Sequence, residues 1–190
     1  SVTEAESEMD LDRTVAAFHD GRIVGTALSY PHRIAVPGAA KFMAAVSNVS
    51  VMPTHRRRGA LAGMMDYQLA DAKEQGWPLA GLYASESPIY GRFGYGVATT
   101  HERWKIDRSR AVIERISDAD GHTSFITAEE AKSVLPSVYD RVWEHRVGML
   151  DRDERRWKRR FRDHGEGTHG TAFFFVTYRA DERVDGYVVY

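Results

Sequence analysis

The sequence predicts a mixed α/β sheet, in which an antiparallel meander leads into a strand–helix–strand crossover. Residues 14–51 show alternating and β-branched stretches separated by tight-turn signals, which is the pattern of a meander. Residues 49–84 then show a strand, a helix and a second strand, and a crossover of this kind makes its two strands parallel. The two patterns together favour a sheet with both kinds of pairing.

The composition is typical of a globular chain. Its 190 residues are 43% hydrophobic with a net charge of −1, so a core can form and no global charge attracts nucleic acid or a membrane surface. The chain has no cysteine, which excludes disulfides, a thiolate nucleophile and cysteine metal sites. It has no apolar run long enough to span a bilayer. We therefore expect a cytoplasmic protein without nucleic-acid or membrane partners.

The meander is expected to follow an acidic and exposed arm at Ser1–Asp12. Two turn signals, Asp20–Gly21 and Pro37–Gly38, separate the strands that follow. The strands are predicted, in order, at Thr14–His19, Arg22–Tyr30, Arg33–Val36 and Ala39–Val51.

A basic turn connects the last of these strands to the helix. Pro53 ends the strand, and from Leu61 the apolar residues recur at helical spacing, with a stop signal at Gly76 and Pro78. The expected apolar face comprises Leu61, Met65, Leu69 and Ala72. A helix start leaves backbone N–H groups unpaired, and Arg56–Gly59 adds charge and a close backbone approach, which suits a pyrophosphate. A solvated surface or a nucleic-acid patch is the alternative, and the spacing of a P-loop is absent.

A second informative stretch follows the strand predicted at Leu79–Ala84. Ser87 is expected to cap a short helix with Pro88 in its first position, and Gly94 to end it. Two motifs then stand at a specific spacing: Pro-Thr-His-Arg-Arg-Arg-Gly at 53–59 and Ala-Ser-Glu-x-x-Ile-Tyr-Gly-Arg-Phe-Gly-Tyr-Gly at 84–96. On these motifs the chain resembles the Eis (enhanced intracellular survival) family of GNAT N-acetyltransferases. The strong resemblance covers roughly Val15–Thr100.

The resemblance implies a GNAT fold that binds acetyl-CoA, with no metal. The residues implied to bind the cofactor are Val49, Ser50, Val51, Arg57, Arg58, Gly59, Ala60, Leu61, Ala62, Ser85 and Glu86. Tyr90 is the candidate general acid, because a phenol (pKa about 10) keeps its proton at neutral pH and can give it to a departing thiolate (thiol pKa about 8.5). Tyr95 is the second candidate, and a purely packing role for Tyr90 is the alternative.

The resemblance further implies an acceptor of the polycationic amine class, such as an aminoglycoside, and a homo-oligomer, a hexamer in similar proteins. The alternatives are a GNAT-fold binding or scaffold protein, and a protein-lysine acetyltransferase. Similar proteins have a strand and two helices before the meander, a second GNAT-like domain and a third domain whose terminal carboxylate is thought to be the base. We therefore expect the chain to be a fragment that lacks the N-terminal elements and the C-terminal part, and we assign no base.

The C-terminal half is expected to hold part of that second domain. The domains are predicted as residues 1–107, a linker at 108–123, and 124–190. Its elements are expected at Val97–Ile106 (the closing strand of the first domain), Phe125–Ile126 (strand), Thr127–Val147 (a helix with a Thr127–Glu130 capping box), Asp151–Asp163 (a charged helix), Ala172–Tyr178 and Val184–Tyr190 (a hairpin). The apolar face of the first helix is expected at Ala131, Val134 or Leu135, Val138 and Val142. We interpret the charged helix as a solvated structural element rather than a nucleic-acid site, because acidic residues are interspersed.

Overall fold

The structure is a computed structural model that describes residues 11–100, 102, 105, 107–110, 121–163 and 174–189. Most of the predicted acidic arm, most of the linker and parts of three predicted strands lie outside these residues. The chain divides into two compact units. Unit 1 comprises residues 1–96 with 141–151, and unit 2 comprises residues 97–140 with 152–190.

The sheet of unit 1 is mixed, as the sequence predicts. Its strands are β1 (Thr14–His19), β2 (Arg22–Val36), β3 (Ala39–Val51) and β4 (Leu79–Leu82), in the order β1-β2-β3-β4. The first three are antiparallel neighbours, and β4 pairs in parallel with β3. The parallel pair is joined by helix α1 (Ala60–Glu74), which packs on the sheet.

The prediction of a break after Tyr30 is wrong, because β2 continues through Pro31. On one side β2 pairs with β3 throughout this stretch. On its other side the pairing with β1 ends at Leu28, and the segment 148–151 begins to bond at Arg33. Pro31 therefore lies between the last residue of β2 that pairs with β1 and the first that bonds to segment 148–151, where a strand tolerates a residue without an N–H donor.

Helix α1 ends as predicted, at a glycine in the left-handed region. Gly76 has φ +70°, and the N–H of Trp77 reaches back to the carbonyl of Ala72 at 2.9 Å, which closes the last turn. The buried face comprises Met64, Met65, Gln68 and Ala72, so it lies slightly off the predicted one. The predicted Leu61 and Leu69 are half-buried at its margin.

The segment 141–151 belongs to unit 1, where it adds a short antiparallel bridge to the outer edge of β2. Ala35 exchanges backbone hydrogen bonds with Met149 and Gly148, at 2.9 and 2.8 Å. The His32 Nδ1 lies 3.0 Å from the Asp151 carboxylate, which fixes the end of the segment. Sequence patterns gave no indication of this return, since it brings together residues more than a hundred positions apart.

Unit 2 contains a three-stranded antiparallel sheet and two helices. The strands are β5 (His122–Ile126), β6 (Phe175–Arg179) and β7 (Val184–Val189), and the helices are α2 (Ala128–Trp143), whose residues 141–143 are counted with unit 1, and α3 (Glu154–Asp163). Strand β5 begins before the predicted Phe125, and α2 ends before the predicted Val147. Val97–Thr100 do not form the predicted strand.

The predicted start of α2 is confirmed, while α3 begins at Glu154 rather than at the predicted Asp151. The backbone N–H of Thr127 donates to the Glu130 carboxylate at 2.8 Å, and the Glu130 N–H donates to the Thr127 hydroxyl at 3.2 Å, which is the predicted capping box. Leu135, not Val134, faces the core, together with Trp157 of α3. Because Trp157 is only 7% exposed, α3 packs through its aromatic side, as expected of a structural helix.

None of the helices in the described part of the chain combines the length and apolar character that a membrane span needs.

Candidate functional site

The feature that defines the candidate site is the divergence of β3 from β4. The two strands pair only from Met43 with Leu79 to Val46 with Leu82. Strand β3 continues beyond that point to Val51, still paired with β2 on its other side. The edge of β3 that faces away from β2 is therefore no longer paired with β4 from Ser47 onward.

A bulge at Asn48 marks the point of divergence. Ser47 pairs with Leu28 and Ser50 with Thr26, so Asn48 and Val49 together lie opposite a single residue of β2. Asn48 has φ +51°, a left-handed conformation that asparagine adopts more readily than most residues. Bulges bend a strand and increase its twist. Sequence reasoning did not identify this bulge, and an asparagine within a β-branched strand was its only signal.

The hydrogen-bond pattern shows which backbone groups face the opening. The N–H of Met52 donates to the carbonyl of Val24 at 2.8 Å, so the adjacent pair, Val51 with Gly25, is one that exchanges no ladder bonds. The N–H and C=O of Val51 consequently point away from β2, and those of Val49 point the same way. The main chain of Ser50 points toward β2, while its side chain is exposed.

The turn after β3 holds two residues in left-handed conformations. A single 3₁₀ turn, Pro53–His55, leads to Arg57 with φ +62° and Gly59 with φ +90°. Gly59 is the N-cap of α1, and no side chain caps this helix start. The amides of Ala60–Ala62 belong to the first turn, where they have no intrahelical acceptor, so they are available to a ligand.

The three arginines of the turn are exposed and free of carboxylate partners among the residues described. The Arg56 Nε lies 3.5 Å from the carbonyl of Val51, and this is the one hydrogen bond of the Arg56 side chain among the described residues. Arg57 and Arg58 form no ion pair there. The positive charge of the turn adds to the partial positive charge of the helix start, and together they favour an anion.

The second motif follows β4 as two consecutive 3₁₀ turns, Ser87–Ile89 and Gly91–Phe93. The prediction that Ser87 caps a helix is wrong, because the cap position is Glu86 and no side chain bonds there. Gly94 ends the second turn as predicted, with φ +88° and its N–H bonded to Gly91 at 3.1 Å. Ser85 and Glu86 are both exposed at the end of β4.

Tyr90 and Tyr95 lie side by side across these turns. Their ring centroids are 6.0 Å apart in an edge-to-face arrangement, and the Tyr95 N–H lies 3.4 Å from the Tyr90 carbonyl. Tyr90 is half-buried. The Tyr95 hydroxyl is buried without a hydrogen-bond partner among the described residues. Desolvation and, secondarily, the proximity of Tyr90 raise the pKa of Tyr95 to about 12.

This raised pKa predicts a loss of stability at alkaline pH. Unfolding restores the ordinary phenol pKa of about 10, so the unfolded chain ionises first and stability falls as pH rises from 10 toward 12. The Tyr95→Phe variant should lack this component while retaining the contributions of other groups. Urea unfolding of both proteins at pH 8, 10 and 11 is the measurement. Equal losses of stability in the two proteins would contradict the prediction.

No group of three or more metal-ligating side chains lies close together in the described ranges. The site is instead a combination of open backbone, positive charge and a phenol.

Three comparisons with known proteins indicate the family of this chain. The profile described as an acetyltransferase (GNAT) domain matches residues 2–98. An uncharacterized N-acetyltransferase of Streptomyces griseus is 38% identical over 189 residues, covering 95% of this chain and 45% of that protein. The N-acetyltransferase Eis of Mycobacterium bovis is 38% identical over 141 residues, covering 71% of this chain and 35% of Eis.

The similarity extends to a solved structure. The crystal structure of Eis1 from Mycobacterium abscessus superposes with a TM-score of 0.80 at 32% identity, over 97% of this chain and 45% of that one. The chain thus spans about half the length, or less, of the relatives it matches. The predicted resemblance to Eis proteins is confirmed. The chain belongs to the GNAT acetyltransferase family.

Proposed function

We propose that this chain binds acetyl-CoA and serves N-acetyl transfer to an amine by direct attack on the thioester. The observation that carries the proposal is the continuity of the open edge of β3 with the uncapped start of α1. An extended amide-containing arm can pair with the backbone of Val49 and Val51. A pyrophosphate can then meet the amides that follow Gly59 and the charges of Arg57 and Arg58.

The chemistry assigns a separate task to each group. A backbone N–H of the open edge donates to the carbonyl oxygen on which negative charge develops during attack. Tyr90 donates its proton to the departing thiolate. This transfer is mildly uphill on reference pKa values, so it depends on a well-placed hydrogen bond. Ser85 and Glu86, exposed beside the opening, provide further polar contacts to the cofactor.

For the acceptor we propose a polycationic small molecule such as an aminoglycoside. The support is the similarity to Eis proteins rather than any pocket of this chain. A protein-lysine acetyltransferase is the second candidate for the same chemistry. A GNAT-fold binding or scaffold protein is the candidate without chemistry, and the exposed Arg57 and Arg58 and the half-buried Tyr90 favour the enzyme over it.

The test combines binding with turnover. Calorimetric titration with acetyl-CoA should give saturable binding, and a thiol-release assay should rank aminoglycosides, polyamines, lysine peptides and neutral amines. If an acidic pocket attracts the acceptor, turnover of polycations should fall between 0.1 M and 1 M salt, because the Debye length shrinks from about 10 Å to about 3 Å and screens that attraction. Preference for a neutral amine would refute this acceptor class. Binding without turnover of any amine would favour the scaffold alternative.

We further propose that the chain self-associates through unit 2. Strand β7 pairs with β6 alone among the described strands, and Val188 on its outer face is 58% exposed. Such an edge can pair with another chain. Sedimentation should show concentration-dependent association that Val188→Lys reduces. A single monomeric species at all concentrations would contradict this.

A further inference from the structure

Two imidazoles meet beside the arginine turn. His19 ends β1 and His55 ends the turn after β3, and their ring centroids are 5.0 Å apart with an interplanar angle of 60°. They meet because β2 extends past the end of β3, where Val24 still bonds to Met52. His55 immediately precedes Arg56, so the pair borders the proposed pyrophosphate site.

Each ring is held through the same nitrogen. The Nδ1 of His55 lies 2.8 Å from the Thr54 hydroxyl, and the Nδ1 of His19 lies 3.3 Å from the Asp20 carboxylate. The Nε2 atoms of both rings have no partner among the described residues. His19 is half exposed, with 51% of its side chain accessible, so the pair can be reached from solvent.

The charges around the pair favour an anion. Asp20 is the one carboxylate that contacts it among the described residues, and its side chain is 89% exposed. Arg22 lies opposite His19 in the ladder, and Arg56 follows His55 along the chain. Histidine changes its charge between about pH 5 and 8. Two protonated rings at this separation repel each other, and a doubly charged anion bound by the outer Nε2 groups would offset that repulsion.

We propose that His19 and His55 bind the phosphate monoester of the coenzyme A nucleotide and make its recognition dependent on pH. The inference rests on the proposed function, which supplies the cofactor and places its pyrophosphate at the adjacent turn. A phosphate monoester has a second pKa near 6, so its own negative charge falls as pH is lowered from 8.2 to 6.2. The pyrophosphate keeps its charge over this range. Because the phosphate loses negative charge as pH falls, a preference for coenzyme A over 3′-dephospho-coenzyme A that grows at lower pH points to the imidazoles rather than to the phosphate.

The experiment is calorimetric titration of the whole chain with both nucleotides at pH 6.2 and 8.2. Coenzyme A should bind about tenfold more tightly than the dephospho form at pH 6.2, the effect of one charge-assisted hydrogen bond, and about twofold at pH 8.2. The double variant His19→Gln/His55→Gln should show about a twofold preference at both pH values. His145→Gln, a variant of an exposed histidine elsewhere in unit 1, should behave as the wild type.

The outcomes separate this inference from the function beneath it. An equal preference at both pH values, or one unchanged in the double variant, overturns the role of the pair while leaving the cofactor site intact. Failure of both nucleotides to bind overturns the proposed function and this inference with it. As a second readout, adenosine 3′,5′-bisphosphate should shift the Nε2 resonances of His19 and His55 and leave His145 unmoved. A shift of all three or of none contradicts specific binding at the pair.

Discussion

Replacing Gly59 with valine should weaken coenzyme A binding by about a hundredfold. Gly59 has φ +90°, and no atom of the described residues beyond its chain neighbours lies within 4 Å of a Cβ placed there. A valine side chain would therefore fill open space that a ligand can otherwise occupy. A β-branched residue also strains this conformation and displaces the first amides of α1. Loss of two hydrogen bonds to a charged phosphate, at about 1.5 kcal/mol each, gives the stated factor. Calorimetric titration with coenzyme A measures it.

Gly38→Val is the matched control for backbone strain. Gly38 has φ +77° and equally open surroundings, but it lies in the turn between β2 and β3, at the opposite end of β3 from Val51. Both variants should lose about 1–3 kcal/mol of unfolding free energy, and only Gly59→Val should lose affinity. If the two variants bind coenzyme A equally well, the helix start is not the phosphate site.

Tyr90→Phe should bind acetyl-CoA as the wild type does and turn over about 10²-fold more slowly. The substitution removes a proton donor while leaving the ring that packs edge-on against Tyr95. The measurement is steady-state thiol release with the best acceptor of the panel, alongside calorimetric affinity for acetyl-CoA. A fall in the turnover number at constant affinity is the signature of a group that acts only during the reaction.

Tyr95→Phe provides the comparison, because it removes the same atom from the neighbouring ring. The Tyr95 hydroxyl is buried, and burial raises its pKa to about 12, which opposes release of its proton. The Phe variant at this position should keep most of its turnover. If Tyr95→Phe is slow and Tyr90→Phe is not, the two roles are reversed. If neither is slow, a water molecule protonates the thiolate.

The fold of unit 1 was predictable wherever local chemistry determines it. Pro53 and Gly76 set the boundaries of the turn and of α1 through their own dihedral preferences, and both boundaries were correct. Period-two alternation located the strands of the meander. The continuity of β2 through Pro31 was not predictable, because it depends on β1 ending before the proline and on the distant segment 148–151 beginning to bond only after it.

The residues of the candidate site could be predicted from the sequence, but their arrangement in space could not. The Arg-x-x-Gly turn and Tyr90 stand out as motifs in the sequence. The departure of β4 and the outward amides of Val51 depend on how many residues each strand supplies between two pairing points, and no side-chain property encodes that count. The contact of His19 with His55 could not be predicted for the same reason, since it depends on the lengths of the strands that precede the two residues.

Because of the bulge at Asn48, the unpaired edge of β3 depends on the number of residues in β3 as much as on the side chains of the site. Deleting this one residue would restore strict alternation and leave Ser50 and Val51 opposite their present partners in β2. The straightened edge would then continue toward Tyr83 and Ala84, and we expect the chain beyond β4 to pair with Val49 as a longer parallel ladder. Backbone hydrogen bonds would close the cleft although every arginine, glycine and tyrosine of the site was kept. A single-codon deletion would thus separate folding from ligand binding more cleanly than any substitution in the site.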